Sequence, residues 1–369
     1  MRYLLALLLL ILSVTVDRSD GTALNTIIGA AAECPIISVG CNPIPLTLTT
    51  LCSVNCSVLT QPSFTDENRI WGGNGANCRT STNGGVTFAN CTTQPFSSGA
   101  RESYAGAKDG SVIGTGNVGG VNCTIKRSTD NAITWTTVYT DAGVSCGGAL
   151  TAQTEVKCLA DESCTFVHSN GSTLTVRRST DNGQNWSIVT TVGPFVVDVR
   201  SYTHTTDISI VPGISAGFRG GVATGATWLT TGLYPVGTSA CLGSFVLGGV
   251  AYASCYQGPG SVYAIRDGST GAIISTPTIE GALASAGSGG VTIGYGSNVV
   301  YLFASWVPPS GNSPIGVWVS RDSGITFTFL GIGSALANSM GGGDVWQSPI
   351  NGCIYLSAGI SNSQFIRIC

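Results

Sequence analysis

Three carboxylates in this chain recur in one setting. Asp130, Asp181 and Asp322 each stand third in an eight-residue phrase. The copies read Ser128-Thr-Asp-Asn-Ala-Ile-Thr-Trp135, Ser179-Thr-Asp-Asn-Gly-Gln-Asn-Trp186 and Ser320-Arg-Asp-Ser-Gly-Ile-Thr-Phe327. A fourth, Ser81-Thr-Asn-Gly-Gly-Val-Thr-Phe88, carries Asn83 in place of the Asp. Carboxylates can act as general acids and bases or gather around Ca²⁺, but one per repeat lacks the ligand density Ca²⁺ needs. A short carboxylate or amide instead accepts hydrogen bonds from nearby backbone N–H groups and locks a tight turn. Gly85, Gly183 and Gly324 would supply positive φ, with Ala132 standing there in the second copy. The terminal Phe88, Trp135, Trp186 and Phe327 would pack under the turn.

Outside the phrases, Arg101-Glu102-Ser103-Tyr104 is the one stretch where Arg, Glu and Tyr cluster, and Arg69 lies upstream in Asn68-Arg69-Ile70-Trp71. A guanidinium recognises a carboxylate with a planar, bidentate fork, and a Glu or Tyr can serve as a nucleophile. The plainer reading of residues 101–104 is a polar loop between repeat units. Arg200, Arg219 and Arg266, with Glu155, Glu162 and Glu280, complete the scattered candidates. Arg127, Arg177, Arg178 and Arg321 abut the phrases and are expected on the surface. His168 and His204 have neither triad nor metal spacing, and paired CxxC motifs are absent, so neither a metal nor a cofactor is expected. Trp71, Trp306, Trp318 and Trp346 could stack on sugars, although packing between repeat units is the commoner use.

The first three phrases start 47 and 51 residues apart, and the last follows after 141, close to three further periods. That period marks one supersecondary unit stacked beside its copies. A β-rich run precedes each phrase and another follows, as in Leu174-Thr-Val-Arg-Arg178 and Trp186-Ser-Ile-Val-Thr190, which makes a hairpin. A third, more apolar run lies upstream. Gly221–Trp228 and Arg266–Gly271 are degenerate copies, and a seventh unit without the phrase runs through residues 343–369. Four-stranded units arranged radially form an all-β propeller. Seven blades are preferred over six, with a β-sandwich or β-helix as the alternative architecture. The chain stops where the seventh unit's last strand should begin, so an N-terminal segment, within Ala23–Ala31, is expected to supply it.

The apolar run from Leu4 to Val16 is too short for a comfortable membrane span and reads as a signal peptide over residues 1–22. Residues 23–65 form a Cys- and Pro-rich segment for ring closure or outer strands, and 66–369 the propeller. All 14 Cys follow the signal, which fits disulfides in an exported chain. Cys78/Cys91, Cys158/Cys164, Cys241/Cys255 and Cys353/Cys369 are spaced for bridges across single hairpins. Glycosylation triplets begin at Asn55, Asn90, Asn122, Asn170 and Asn185. Charged residues make up 9% and the net charge is -3, with no basic stripe, which argues against nucleic acid as a partner. Every apolar run after the signal is interrupted by polar residues, so no stable membrane span is expected in the mature chain.

The phrase resembles the Asp box (the BNR repeat, Ser-x-Asp-x-Gly-x-Thr-Trp) of sialidases and other Asp-box propellers. The resemblance implies a propeller whose boxes lie on the rim, away from the central site. Sialidases hold the substrate carboxylate with three Arg and use a Tyr–Glu nucleophile pair with an Asp acid/base. They also carry an early Arg-Ile-Pro motif. Here the nearest sequence, Arg69-Ile70-Trp71, lacks the Pro and sits only twelve residues before the first box. These departures favour a secreted, non-catalytic module that binds a glycan or an extracellular protein. A divergent sialidase-like glycoside hydrolase using Arg69, Arg101, Glu102 and Tyr104 is the first alternative, and a structural surface protein the second.

Overall fold

The computed structural model describes residues 47–52, 58–74, 77–96, 102–119, 122–143, 155–169, 174–192, 203–204, 209–210, 219–224, 227–233, 238–247, 250–257, 262–267, 272–279, 291–305, 315–332, 344–358 and 364–369. The β-branched and aromatic runs form strands, and the Gly-, Asn- and Asp-rich links between them form turns.

The strands fall into successive sheets along the chain. A first strand, β1 (Leu48–Cys52), stands apart from its neighbours in sequence. The first sheet holds β2 (Val58–Pro62), β3 (Ile70–Asn74), β4 (Asn77–Ser81) and β5 (Ala89–Asn90). The second holds β6 (Ser103–Gly106), β7 (Val112–Val118), β8 (Asn122–Ser128) and β9 (Thr136–Asp141). The third holds β10 (Glu155–Cys158), β11 (Cys164–Ser169), β12 (Leu174–Ser179) and β13 (Ser187–Val192). The fourth holds β14 (Thr203–His204), β15 (Ser209–Ile210), β16 (Arg219–Thr224) and β17 (Thr227–Leu233). The fifth holds β18 (Thr238–Leu247), β19 (Val250–Gln257), β20 (Val262–Asp267) and β21 (Ile273–Ser275).

The sixth sheet gains a fifth strand. Ahead of β23 (Val291–Tyr295), β24 (Val299–Ser305), β25 (Ile315–Ser320) and β26 (Thr326–Ile332), the chain lays β22 (Thr278–Ile279) parallel along the outer edge of β26. The last sheet contains β27 (Asp344–Gln347), β28 (Ile354–Ala358) and β29 (Gln364–Ile368), and β1 completes it by pairing antiparallel with β29. The ring-closing strand is therefore Leu48–Cys52; the segment 23–31 lies outside the described residues. Thr47 and Cys369 exchange two backbone hydrogen bonds of 2.8 and 3.0 Å, so the closure extends to the chain's last residue.

First strands of neighbouring sheets lie side by side. β27 meets β2, β2 meets β6, β6 meets β10, β14 meets β18, β18 meets β23, and β23 meets β27. Side chains staple this inner wall. Gln61 on β2 donates to the Cys158 carbonyl at 2.8 Å and accepts from the Cys158 N–H at 3.0 Å, as a neighbouring strand would. The Val156 N–H donates to the Ser103 hydroxyl at 3.1 Å. Apolar cores fill the spaces between sheets: one joins Ile113 and Ile125 to Val156 and Phe166, another Phe245 and Ile265 to Leu302 and Trp318. Trp71, Trp318 and Trp346 are all buried in such clusters, which is the packing use of Trp; Trp306 lies outside the described residues.

Disulfides join Cys78 to Cys91, Cys158 to Cys164 and Cys353 to Cys369, each across one hairpin. Cys241 and Cys255 are direct register partners on β18 and β19. Among the described residues, no helix is long and apolar enough to cross a membrane.

Candidate functional site

Every phrase copy occupies the hairpin between the third and fourth strands of its sheet, and the two degenerate copies do the same at β16–β17 and β20–β21. The seventh unit has no phrase because its fourth strand comes from the other end of the chain. In each full copy the Ser hydroxyl donates to the residue-three side chain, at 2.9 Å for Ser81–Asn83, 2.8 Å for Ser128–Asp130, and 2.7 Å for Ser179–Asp181 and Ser320–Asp322. The same hydroxyl accepts the N–H of residue five at 2.8–2.9 Å. The third-position oxygen then accepts the N–H of residue seven, at 2.8–3.0 Å.

Its second oxygen takes a side-chain donor at 2.6 Å: Thr134 on Asp130, Asn185 on Asp181, Thr326 on Asp322. Asn83 keeps this geometry by reversing one bond, its amide donating to the Thr87 hydroxyl at 2.9 Å. The carboxylates are thus spent on the turn. Hydrogen bonds from the Thr134 side chain and backbone, then from Ser128, hold the Asp130 carboxyl down at about 2. Partial burial raises Asp181 and Asp322, but the bonds from Asn185 and Thr326 outweigh it and leave both below the ordinary carboxylate range.

Residue five explains the Gly. Gly85 and Gly183 sit at φ +90° and +77°, and a Cβ there would lie 2.2 Å from the Phe365 ring and 2.3 Å from Ile113 of the preceding sheet. In these two copies the turn crown is pressed against its neighbour, which leaves no room for a side chain at a positive φ. Ala132 adopts φ +66° despite its Cβ and is buried beside Trp71 and Tyr104. The terminal aromatics pack beneath: Trp186 donates its indole N–H to the Gly183 carbonyl at 2.9 Å, and Phe88 meets Phe365 edge-on at 5.7 Å.

Antiparallel topology separates two ends of the sheets. Third-to-fourth and first-to-second connections share one end, the turn end; each first strand starts at the other, the far end. Arg69, between β2 and β3, is at the turn end, beside Asp66 at 3.8 Å. Glu102, immediately before β6, is at the far end, and Tyr104 follows on β6. Arg101 lies outside the described residues. The structure therefore brings Glu102 and Tyr104 together and keeps Arg69 a strand length away.

The Tyr104 hydroxyl donates to Glu102 Oε2, while Oε1 is buried without a hydrogen-bond partner. Glu102 is 1% exposed and Tyr104 0%. Burial pushes the Glu102 carboxyl up to about 8, against the Tyr104 hydrogen bond and the field of Lys126, which act to lower it. Burial also raises the Tyr104 phenol, and the Glu102 charge adds to that. Burial lowers the Lys126 ammonium and Glu102 partly offsets it; the ammonium donates to the Pro95 carbonyl and lies 5.5 Å from the Phe96 ring centre.

A second buried group lies between the second and third sheets. Arg177 donates to Asp141 at 2.6 Å and stacks 4.1 Å from the Tyr139 ring. It is only 2% exposed, contrary to the surface position expected of a residue abutting the phrase. The reason is strand alternation: Arg177 lies two residues before Ser179, on the same inward face. His168, stacked on Phe166, has Nε2 3.8 Å from Asp141, and its Nδ1 has no partner. Burial first, then the Arg177 charge, holds His168 down at about 4 despite Asp141. Alternation was the signal available in the sequence for this cluster.

Of the glycosylation triplets, Asn90 is exposed and Asn122 half-buried, its side-chain oxygen accepting the Gly143 N–H at 3.0 Å. Asn185 belongs to the third phrase and is bonded to Asp181. Asn55 and Asn170 lie outside the described residues. No group of three His, Cys, Asp or Glu that could hold a metal ion occurs among the described residues.

No family model matches the sequence, and no curated protein matches it. Solved structures do. YCF48 bound to D1 peptide matches with a TM-score of 0.56 at 15% identity, over 91% of this chain and 97% of that one. YCF48 from Cyanidioschyzon merolae matches at 0.54 and 13%, over 87% and 98%. The WD40 β-propeller domain of Doa1 matches at 0.53 and 10%, over 88% and 96%. The fold is a β-propeller. At such identities the likeness concerns the propeller scaffold alone, and its chemistry has to be read from this chain's own side chains.

Proposed function

We propose that the chain is a secreted, seven-bladed Asp-box propeller that binds a protein or glycan outside the cell without catalysing a reaction. The observation that carries this is the sealing of Glu102 and Tyr104, which are bonded to each other and withdrawn from the surface. A nucleophile and its base must reach the reacting atom. The Asp of the phrases support the same reading, since their oxygens are already engaged by the turn. Hairpin disulfides suit an extracellular module. A propeller of this fold has been captured with a peptide, which makes protein ligands a reasonable class to test.

The test is binding of the purified, secreted chain to a glycan array and to an array of extracellular proteins. Saturable binding on either is expected. Silence on both would overturn the reading in favour of a structural surface protein.

A further inference from the structure

Two triplets in this chain have the same letters and opposite surroundings. Asn90-Cys91-Thr92 and Asn122-Cys123-Thr124 both read Asn-Cys-Thr. The first begins at the end of β5, the fourth strand of its sheet, where Asn90 is the register partner of Arg79. Alternation turns Cys91 inward and leaves Asn90 and Thr92 exposed on either side of it. Cys91 is buried and bridged to Cys78, and its N–H donates to the Cys78 carbonyl at 2.9 Å. The Gln94 amide donates to the carbonyls of Cys78 and Cys91 at 3.2 and 3.3 Å. The bridge thus fixes the backbone from inside, while the Asn amide and the Thr hydroxyl two residues on share the outer face. The Asn90 side chain makes no hydrogen bond among the described residues.

The second triplet opens β8, a third strand paired on both sides, with β7 and with β9. Its Thr124 is 2% exposed, and Asn122 is half-buried with its side-chain oxygen held by the Gly143 N–H. In Asn185-Trp186-Ser187 the amide nitrogen, the atom that would carry a glycan, donates to Asp181 at 2.6 Å as part of the third phrase.

We infer that Asn90 is an N-glycosylation site and that Asn122 and Asn185 stay unmodified. In the transfer, Asn90 Nδ2 attacks the anomeric carbon of a lipid-pyrophosphate-linked oligosaccharide. A C–N bond forms, the C–O bond to the pyrophosphate breaks, the lipid pyrophosphate leaves and the nitrogen gives up one proton. Transfer precedes folding, so the folded surroundings decide which glycosylated chains complete the fold. A glycan on Asn90 projects into solvent and costs no hydrogen bond. One on Asn122 would have to leave a strand flanked on both sides, and one on Asn185 would replace a proton of the nitrogen that secures Asp181. This inference rests on the reading of the chain as secreted, because transfer takes place on the secretory route, and it names one residue that the route modifies.

The test is secretion of the full-length chain from cultured eukaryotic cells, followed by mass mapping of its peptides before and after enzymatic release of N-glycans. The Asn90 peptide is expected to carry the glycan, and the peptides holding Asn122 and Asn185 to be bare. Asn90→Gln and, independently, Thr92→Ala should each remove the glycan; both are exposed positions where the fold should accept the change. A bare Asn90 in the secreted, disulfide-bonded chain would overturn the site and leave the secreted reading standing. A glycan on Asn122 or Asn185 would overturn the selection between triplets. A chain kept inside the cell, with residues 1–22 attached and no glycan, would overturn both the site and the secreted reading. Silence on the arrays with a glycan present on Asn90 would remove the binding function alone.

Discussion

Glu102 and His168 are buried groups with opposite linkage, and together they shape how stability depends on pH. The folded chain holds the Glu102 proton up to about pH 8, whereas the ordinary carboxyl releases it near 4.5. Stability from this group is therefore complete below about 4.5 and is lost as pH rises toward 8, by on the order of 3 kcal/mol at neutrality. His168 takes its proton near 4 when folded and near 6.5 when unfolded, so stability falls as pH drops through that window, by a similar amount. The two slopes oppose each other between about pH 4.5 and 6.5. Chemical denaturation across pH is expected to show a plateau there and a decline toward pH 8. Glu102→Gln should abolish the decline and expose the rise from pH 4 to 6.5. A wild-type curve still climbing at pH 8 would contradict the assignment. Asp130 acts only in acid: its carboxyl is depressed to about 2, so the stability its turn bonds contribute is complete above the ordinary value near 3.8 and is lost as pH falls through about 2.

At the level of elements, the phrase was the most legible part of the sequence because its work is local. Ser, Asp, Gly and aromatic stand within one hairpin, so their spacing alone prescribed the turn, and the three described disulfides likewise close single hairpins. Gly85 shows where local reading ends: its positive φ could be anticipated, but the Phe365 ring across the sheet interface could not. Gly85→Ala should destabilise the protein by about 2–4 kcal/mol, from left-handed strain and overpacking combined. Thermal unfolding measures it, and a change within about 0.5 kcal/mol would mean that the crown is not pressed against its neighbour. The closing strand was also hard to place, since β1 precedes its partner β29 by almost the whole chain and carries no phrase to mark it.

For the whole molecule, the propeller could be read from the repeat, whereas the site could not. Arg69, Glu102 and Tyr104 are close in sequence, but ring topology sends Arg69 to the turn end and Glu102 to the far end. Separation of that kind follows from strand direction, which spacing does not encode. The central claim is that Glu102 and Tyr104 are internal structure rather than a nucleophile pair. It is tested most directly by turnover of a panel of fluorogenic sialosides by the wild type and by Glu102→Gln. Neither protein should release fluorophore above the uncatalysed rate; wild-type turnover that disappears in Glu102→Gln would contradict the account.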